Sequence, residues 1–316
     1  GEWQHIAVAY DRAYGLKLAE LIVAEKPDAV ISSNAPLDAQ WEIMKGARQV
    51  PGCAFVFWLQ DLYGEAILRI LEKKLPVVGT AIGHYYRWLE AQMLKKSNQV
   101  ISISDDFEPI LRAYGIAPDK INIIENWAPL DEIASMPKSN SWSIANGVAE
   151  KVNIIYSGTL GYKHNPQLLV RLAQETDANV MVFSEGQVAD DLSSQAKTLG
   201  LPNLMVRPWV SFADLPSVLA SADILTALIE PEAGIFSVPS KVLTYMCVGR
   251  PVLASMPAKN LAARMLSREE AGLVADSNDG DTFVAHARRL LADPELRTRM
   301  GHNGRAYAER AFDITT

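Results

Sequence analysis

Short apolar runs alternate with stretches of helical periodicity along most of the chain. Asp11–Glu25 carries Leu16, Leu18, Ala19, Ile22 and Val23 on a broad apolar face, and Pro27 ends that helix. Asp28–Ser32 reads as a short strand, with Ser33, Asn34 and Pro36 as the loop after it. Ala54–Leu59 is a second buried strand, Gly83–Lys96 a long helix and Gln99–Ser102 a third strand. A helix over Phe107–Tyr114 is closed by Gly115, and Lys120–Ile124 is the next strand. Residues 1–10 hold no strand with a glycine turn, with which a domain of this type normally opens. The first domain is therefore expected to lack its first strand, through trimming or missing residues.

The pattern lapses from residue 129 to about 150, where Ser, Asn and Pro predict a linker. It resumes with strand Val152–Ser157, a turn holding Gly158, Gly161, Lys163, His164, Asn165 and Pro166, and a helix over Gln167–Thr176. Strand Asn179–Phe183, helix Val188–Leu199, strand Leu204–Arg207, helix Phe212–Ala220 and strand Ile224–Leu228 follow. Then come a loop from Glu230, a helix opening at Pro239–Ser240 with Ser240 as its N-cap type, Gly249 as its stop, and strand Pro251–Ser255. Helix Ala258–Ser267, strand Gly272–Val274 and helices over Asp281–Ala292 and Pro294–Arg310 complete the chain. Strands alternating with helices predict parallel sheets covered on both faces. The fold class is α/β: two doubly wound, Rossmann-like domains facing a cleft.

A length of 316 residues allows two such domains, and a net charge of −7 argues against general nucleic-acid binding. Cys53 and Cys247 both sit in apolar surroundings and read as reduced thiols, which fits a cytoplasmic protein. No apolar run is long enough to span a membrane, although the chain could still touch a membrane surface.

In open parallel sheets, ligands sit beyond the carboxyl ends of the strands, so the polar residues there are the candidates. The loop feeding the helix at Ser240 offers free backbone N–H groups and a positive helix end, which suits a phosphate. Lys241 adds a point charge where a lysine is electrostatically misplaced unless an anion is present. Gly158 and Gly161 let backbone approach a phosphate, and Lys163 and Lys241 can each neutralise part of a diphosphate. Glu232 could accept hydrogen bonds from sugar hydroxyls, and Trp209 could border a base. Glu185–Gly186, Pro208–Val210 and Ser237 are the other strand-end positions of this half. The plainer readings are turn glycines, solvated lysines, a loop acid and a packing tryptophan.

In the first half, Asn34, Asp61, Tyr63 and Asn126 follow strands. Asp61 could orient or deprotonate an incoming hydroxyl, or simply cap the next helix. Ser104 and Asp105 look like a helix cap. Asp276–Asp281 has calcium-loop composition with the wrong spacing, and Asp279-Gly-Asp281 reads as a helix start. No Cys/His set has zinc spacing, and His164 is the one histidine in a suggestive place.

The runs SGTLGYKHNP, ADILTALIEPEAGIFSVPSK, TYMCVGRPVLAS and MGHNGRAYAERAF, in that order, resemble family 4 of the retaining glycosyltransferases, with the two-domain GT-B fold. SVPSK and WLQDLYG are similar to motifs of the bacterial capsule, exopolysaccharide and O-antigen branch, including colanic-acid and fucosamine transferases. The resemblance implies a hexosyl transfer from a nucleotide-sugar, UDP favoured over GDP, to a lipid-linked saccharide, with retention and with no metal or other cofactor. It implies residues 1–130 as the acceptor domain, 131–150 as a linker, 151–296 as the donor domain and 297–316 as a helix returning to the first domain. Ser240 and Lys241 match the phosphate-binding pair, and Lys163 the lysine of the family's Arg…Lys clamp. Thr159 stands at the clamp's arginine position, Phe236 and Thr244 at its two glutamates, and Gln60 beside Asp61 at its first-domain histidine. Glu232, four residues before Phe236, is the substitute carboxylate, so the implied catalytic set is Asp61, Lys241 and Glu232. The acceptor would meet Asn34, Asp61, Tyr63 and Asn126, at the inner face of the cytoplasmic membrane. Lys73, Lys74, Arg87, Lys95 and Lys96, with Tyr85, Tyr86 and Trp88, could turn a basic aromatic helix to that membrane. A GT-B nucleotide-sugar epimerase and a non-catalytic nucleotide-sugar-binding protein are the rival readings.

Overall fold

The computed structural model describes residues 2–33, 36–161, 164–229 and 239–312, with side chains from residue 12 onward. The chain divides into two compact units, Gly1–Glu125 and Asn126–Thr316.

The first unit runs α1 (Glu2–Glu25), β1 (Ala29–Ser33), α2 (Leu37–Gln49), β2 (Ala54–Leu59), α3 (Tyr63–Lys74), α4 (Val78–Lys96), β3 (Gln99–Ser102), α5 (Glu108–Ala113) and β4 (Ile121–Ile123). Among the described residues its four strands are all parallel in the order β1-β2-β3-β4. Helix α1 begins earlier than the apolar face at Asp11 predicts. Helix α2 is an addition to the predicted elements, and α3 is the helix expected after Asp61. In α2, Ala39, Ile43, Met44 and Ala47 are buried at helical spacing, but Gln40 and Glu42 are buried among them and interrupt the apolar stripe. Gln40 is satisfied by donating to the Ser32 carbonyl at 3.1 Å. Helices α3 and α4 pack backbone to backbone: a Cβ on Gly83 would lie 2.5 Å from the Leu68 Cα.

The second unit runs α6 (Ser141–Ala145), β5 (Asn153–Ser157), α7 (Gln167–Glu175), β6 (Asn179–Phe183), α8 (Gln187–Thr198), β7 (Leu204–Arg207), α9 (Leu215–Ala220), β8 (Ile224–Leu228), α10 (Ser240–Val248), β9 (Val252–Ser255), α11 (Leu261–Arg268), β10 (Gly272–Ala275), α12 (Gly280–Ala292) and α13 (Pro294–Ala311). Among the described residues its six strands are parallel in the order β10-β9-β8-β5-β6-β7. The strands are buried on both faces. Ile155, Leu225 and Val252 point into one apolar core with α10 and α11, whereas Ile154, Tyr156, Ile224 and Leu253 point into the other with α7 and α12.

The stretch predicted as a linker is part of this unit. Ile133 and Val148 are buried in its core. Asn140 caps α6 by accepting from Ser143 N–H at 3.1 Å, and its amide donates to the Ser217 carbonyl at 3.0 Å. Part of the polar composition serves these caps and cross-links. Cys53 is half-buried and Cys247 buried, and both are free thiols. Among the described residues no helix is long and apolar enough to cross a membrane.

Candidate functional site

The strand order of the second unit reverses between β5 and β8. From β5 the sheet grows through β6 and β7 on one side, and from β8 through β9 and β10 on the other. Neighbouring strands whose connections leave in opposite directions open a crevice at their carboxyl ends, where doubly wound sheets take ligands. A cavity of about 570 Å³ lies there, lined by Ser157–Thr159 after β5, Leu228 and Ile229 at the end of β8, and Ser240, Lys241, Thr244 and Tyr245 of α10. Leu215 and Leu219 of α9 supply an apolar wall.

Helix α10 starts one residue earlier than a cap at Ser240 implies. Pro239 holds the N-cap position in extended geometry and makes no side-chain cap, so Ser240 is the first helical residue rather than the cap. Proline fixes φ without offering a capping oxygen, so the first turn meets the cavity without a side-chain cap. Gly249 ends the helix in the left-handed region, as its type predicts.

Lys241 is held at the mouth of this turn. Its Nζ donates to Tyr156 Oη at 2.6 Å and lies 3.9 Å from the Tyr156 ring centre. Tyr156 Oη in turn donates to the Thr159 carbonyl at 2.7 Å. Gly158, at φ +128°, passes directly beneath the ammonium: a Cβ there would lie 3.5 Å from Nζ. Tyr245 Oη accepts from Ser157 N–H at 3.0 Å, which ties α10 to the end of β5. Burial, and then the neighbouring Tyr245, raise the pKa of Tyr156, and burial raises that of Tyr245, so both phenols stay protonated and serve as hydrogen-bonding posts. His164 also lines the cavity, and its Nδ1 accepts from Gly161 N–H at 2.8 Å.

Of the predicted donor residues, the structure brings together Gly158, Thr159, Ser240 and Lys241. Glu185 and Gly186 follow β6, and Trp209 and Val210 follow β7, one and two strands away from the crevice. Glu185 accepts from Trp209 N–H at 3.2 Å, the Trp209 ring is exposed, and Val210 packs on the core. None of the four lines the described cavity. Lys163, Glu232, Ser237 and Asn34 lie outside the described residues. Tyr156, Tyr245, Leu215 and Leu219 are additions, and Thr244 lines the cavity.

In the first unit, Asp61 and Tyr63 sit where β2 gives way to α3. Asp61 does not cap α3, whose N-cap is Leu62 with no side-chain bond. Burial, and then the charges of Asp61 and Glu90, raise the Tyr63 pKa. Asn126 opens the second unit. Asp279 caps α12 through Thr282 N–H at 2.9 Å, and among the described residues no three His, Cys, Asp or Glu side chains gather as metal ligands would.

Two parallel α/β units, the second with a phosphate-suited crevice at its switch point, define the GT-B class of glycosyltransferase architecture. The family model for group 1 glycosyl transferases matches residues 141–307, and that for glycosyltransferase family 4 matches residues 5–132. The chain belongs to the group 1 glycosyl transferases, and it is a glycosyltransferase. No curated protein sequence matches it. Among solved structures it is similar to Anabaena HepE in complex with UDP, at 15% identity and TM-score 0.75 over 95% of this chain and 78% of that one. It is also similar to sucrose-phosphate synthase from Thermosynechococcus elongatus, at 15% identity and TM-score 0.73 over 91% and 70% of the two chains. WaaG, a glycosyltransferase involved in lipopolysaccharide biosynthesis, matches at 19% identity and TM-score 0.68 over 89% and 81%.

Proposed function

We propose that this enzyme moves a sugar from a UDP-sugar to a lipid-linked saccharide, with retention of configuration, in bacterial surface polysaccharide assembly. The observation that carries the donor half is Lys241, held by Tyr156 over Gly158 beside the uncapped start of α10. A diphosphate in the crevice would meet one ammonium and the positive helix end together. Breaking the anomeric C–O bond leaves negative charge on the diphosphate and positive character on the sugar, so groups that hold the leaving oxygens lower the barrier. Glu232 is the substitute sugar-binding carboxylate, and Asp61 the group that orients or deprotonates the acceptor hydroxyl. With Thr244 at a family glutamate position, a ribose would gain a hydroxyl partner there instead of a carboxylate. The similar HepE structures, with UDP and with UDP-glucose, support a uridine donor.

The acceptor half rests on the outer face of the α3–α4 hairpin. Val77 is 82% exposed, Val78 64%, and Ile70, Leu75, Tyr85 and Trp88 each more than half exposed. Lys73 and Lys74 are exposed beside them. An apolar and aromatic patch edged by lysines suits an anionic bilayer surface. This reading makes the enzyme peripheral at the inner face of the cytoplasmic membrane. The similarity to WaaG agrees with an envelope role.

The test is incubation with labelled UDP- and GDP-sugars and a bacterial membrane lipid extract. Label transferred to lipid supports the proposal. An altered sugar nucleotide without an acceptor would make the protein an epimerase, and binding without turnover a sensor. Lys241→Ala is expected to weaken UDP binding roughly ten- to a hundredfold, the loss of a charge-assisted hydrogen bond. Unchanged affinity would remove Lys241 from the site.

A further inference from the structure

The second unit has another cavity at the opposite end of its sheet. It measures about 390 Å³ and lies between residues 135–138, the turn at Gly249–Pro251 and one face of α13. Asp223 immediately precedes β8 and Pro251 immediately precedes β9, so this cavity sits at the amino ends of the strands, away from the donor crevice.

Four cationic side chains converge on it: Lys138, Arg250, Arg297 and Arg305. Each arginine is anchored by carbonyls. Arg250 Nη2 donates to Ala220 O at 2.8 Å and Met136 O at 3.0 Å. Arg297 Nη1 donates to Leu290 O at 2.6 Å, and Arg305 Nη1 to Cys247 O at 2.7 Å. These carbonyls close α9, α12 and α10, and the negative end of a helix is a natural seat for a cation. That duty occupies only part of each guanidinium, which has five N–H donors. Among the described residues, Nη1 of Arg250, Nε and Nη2 of Arg297 and Nη2 of Arg305 donate to no protein group.

Among the described residues the lining holds one carboxylate, Asp223, and it is already committed, while Arg305 Nε pairs with Glu309 outside the lining at 2.7 Å. Asp223 pairs with Lys138 Nζ at 2.6 Å and accepts from Asn153 N–H at 2.8 Å. Burial lowers the Arg250 pKa, with Asp223 opposing. In a chain of net charge −7, so many cations around one cavity is a local feature.

We propose that this cavity binds a phosphate-bearing anion, separately from the nucleotide-sugar donor. Guanidinium forks with spare donors chelate phosphate oxygens in pairs, and the volume admits a diphosphate or a phosphate ester. The proposal does not depend on the glycosyltransferase reading.

Calorimetric titration of the full chain with inorganic pyrophosphate at low ionic strength tests it, with Lys241→Ala as the variant that weakens the donor crevice. Thr298 and His302 are exposed at the rim and anchor no helix end, so His302→Glu leaves the carbonyl caps in place while adding a negative charge. The expected result is a binding event that persists in Lys241→Ala and weakens about tenfold in His302→Glu, as one added charge a few ångströms away demands. A parallel arm floats the protein on vesicles of phosphatidylglycerol or phosphatidylcholine. Selective flotation on phosphatidylglycerol that His302→Glu reduces would identify a lipid headgroup as the source of the phosphate. Absence of both pyrophosphate and headgroup binding, or binding that His302→Glu leaves unchanged, would overturn the proposal.

Discussion

Glu90 is the most anomalous side chain in the first unit. It is fully buried in α4, and neither carboxylate oxygen has an aligned hydrogen-bond donor among the described residues. A Cβ on Gly64 would lie 2.9 Å from its Oε2, so the carboxyl is wedged against the first turn of α3. Burial pushes its pKa from an ordinary 4.5 up to about 8. Glu65 and Asp61 push the same way, and the nearby backbone N–H groups of Gly64 and Tyr63 oppose. The native chain thus keeps a proton on Glu90 through neutral pH, while the unfolded chain releases it above its ordinary value. Unfolding in this window releases a proton, so stability falls as pH rises from about 4.5 to about 8. Each unit amounts to about 1.4 kcal/mol, and the whole rise to roughly 4–5 kcal/mol. Glu90→Gln cannot ionise and should lose this dependence. Urea unfolding of both proteins at several pH values between 5 and 8 measures it. The wild-type minus Glu90→Gln difference should fall by about 1.4 kcal/mol for each added pH unit. A difference that does not change with pH would refute the reasoning.

Other outcomes follow from the geometry. Gly158→Ala forces a side chain to adopt φ +128° against Lys241, and is expected to cost about 1–3 kcal/mol of stability and to weaken UDP binding; thermal melts and titration check both. Tyr156→Phe removes the oxygen that receives Lys241 and donates to Thr159, so UDP affinity should fall with a stability loss of about 1–2 kcal/mol, read by the same measurements. Asn140→Ala removes the α6 cap and the link to Ser217, and denaturant unfolding should show a loss of about 1–2 kcal/mol.

Much of the architecture was legible because parallel strands buried on both faces read as continuous apolar runs. The second-unit strands follow the predicted boundaries to within a residue or two. Helix α2 was not legible because Gln40 and Glu42 occupy buried positions, and Gln40 is satisfied by the Ser32 carbonyl of a neighbouring strand. The segment before β5 reads as a linker because its apolar anchors, Ile133 and Val148, are isolated in sequence and meet the core only in three dimensions. In the site, Gly158 and Lys241 were legible from local logic, a glycine turn and a lysine at a helix start. Tyr156 and Tyr245 sit inside an apolar strand and an apolar helix and read as core. Only the adjacency of β5 and β8 shows that their hydroxyls face the crevice. The same adjacency leaves Glu185 and Trp209 to one side, since their strands lie on the far side of β5.

The account depends above all on a diphosphate docking at the start of α10. A crystal structure of this chain with UDP tests that directly. The account predicts phosphate oxygens within hydrogen-bond distance of Lys241 Nζ and of the first backbone N–H groups after Pro239, next to Gly158. Phosphates bound elsewhere, with Lys241 still closed on Tyr156, would contradict it.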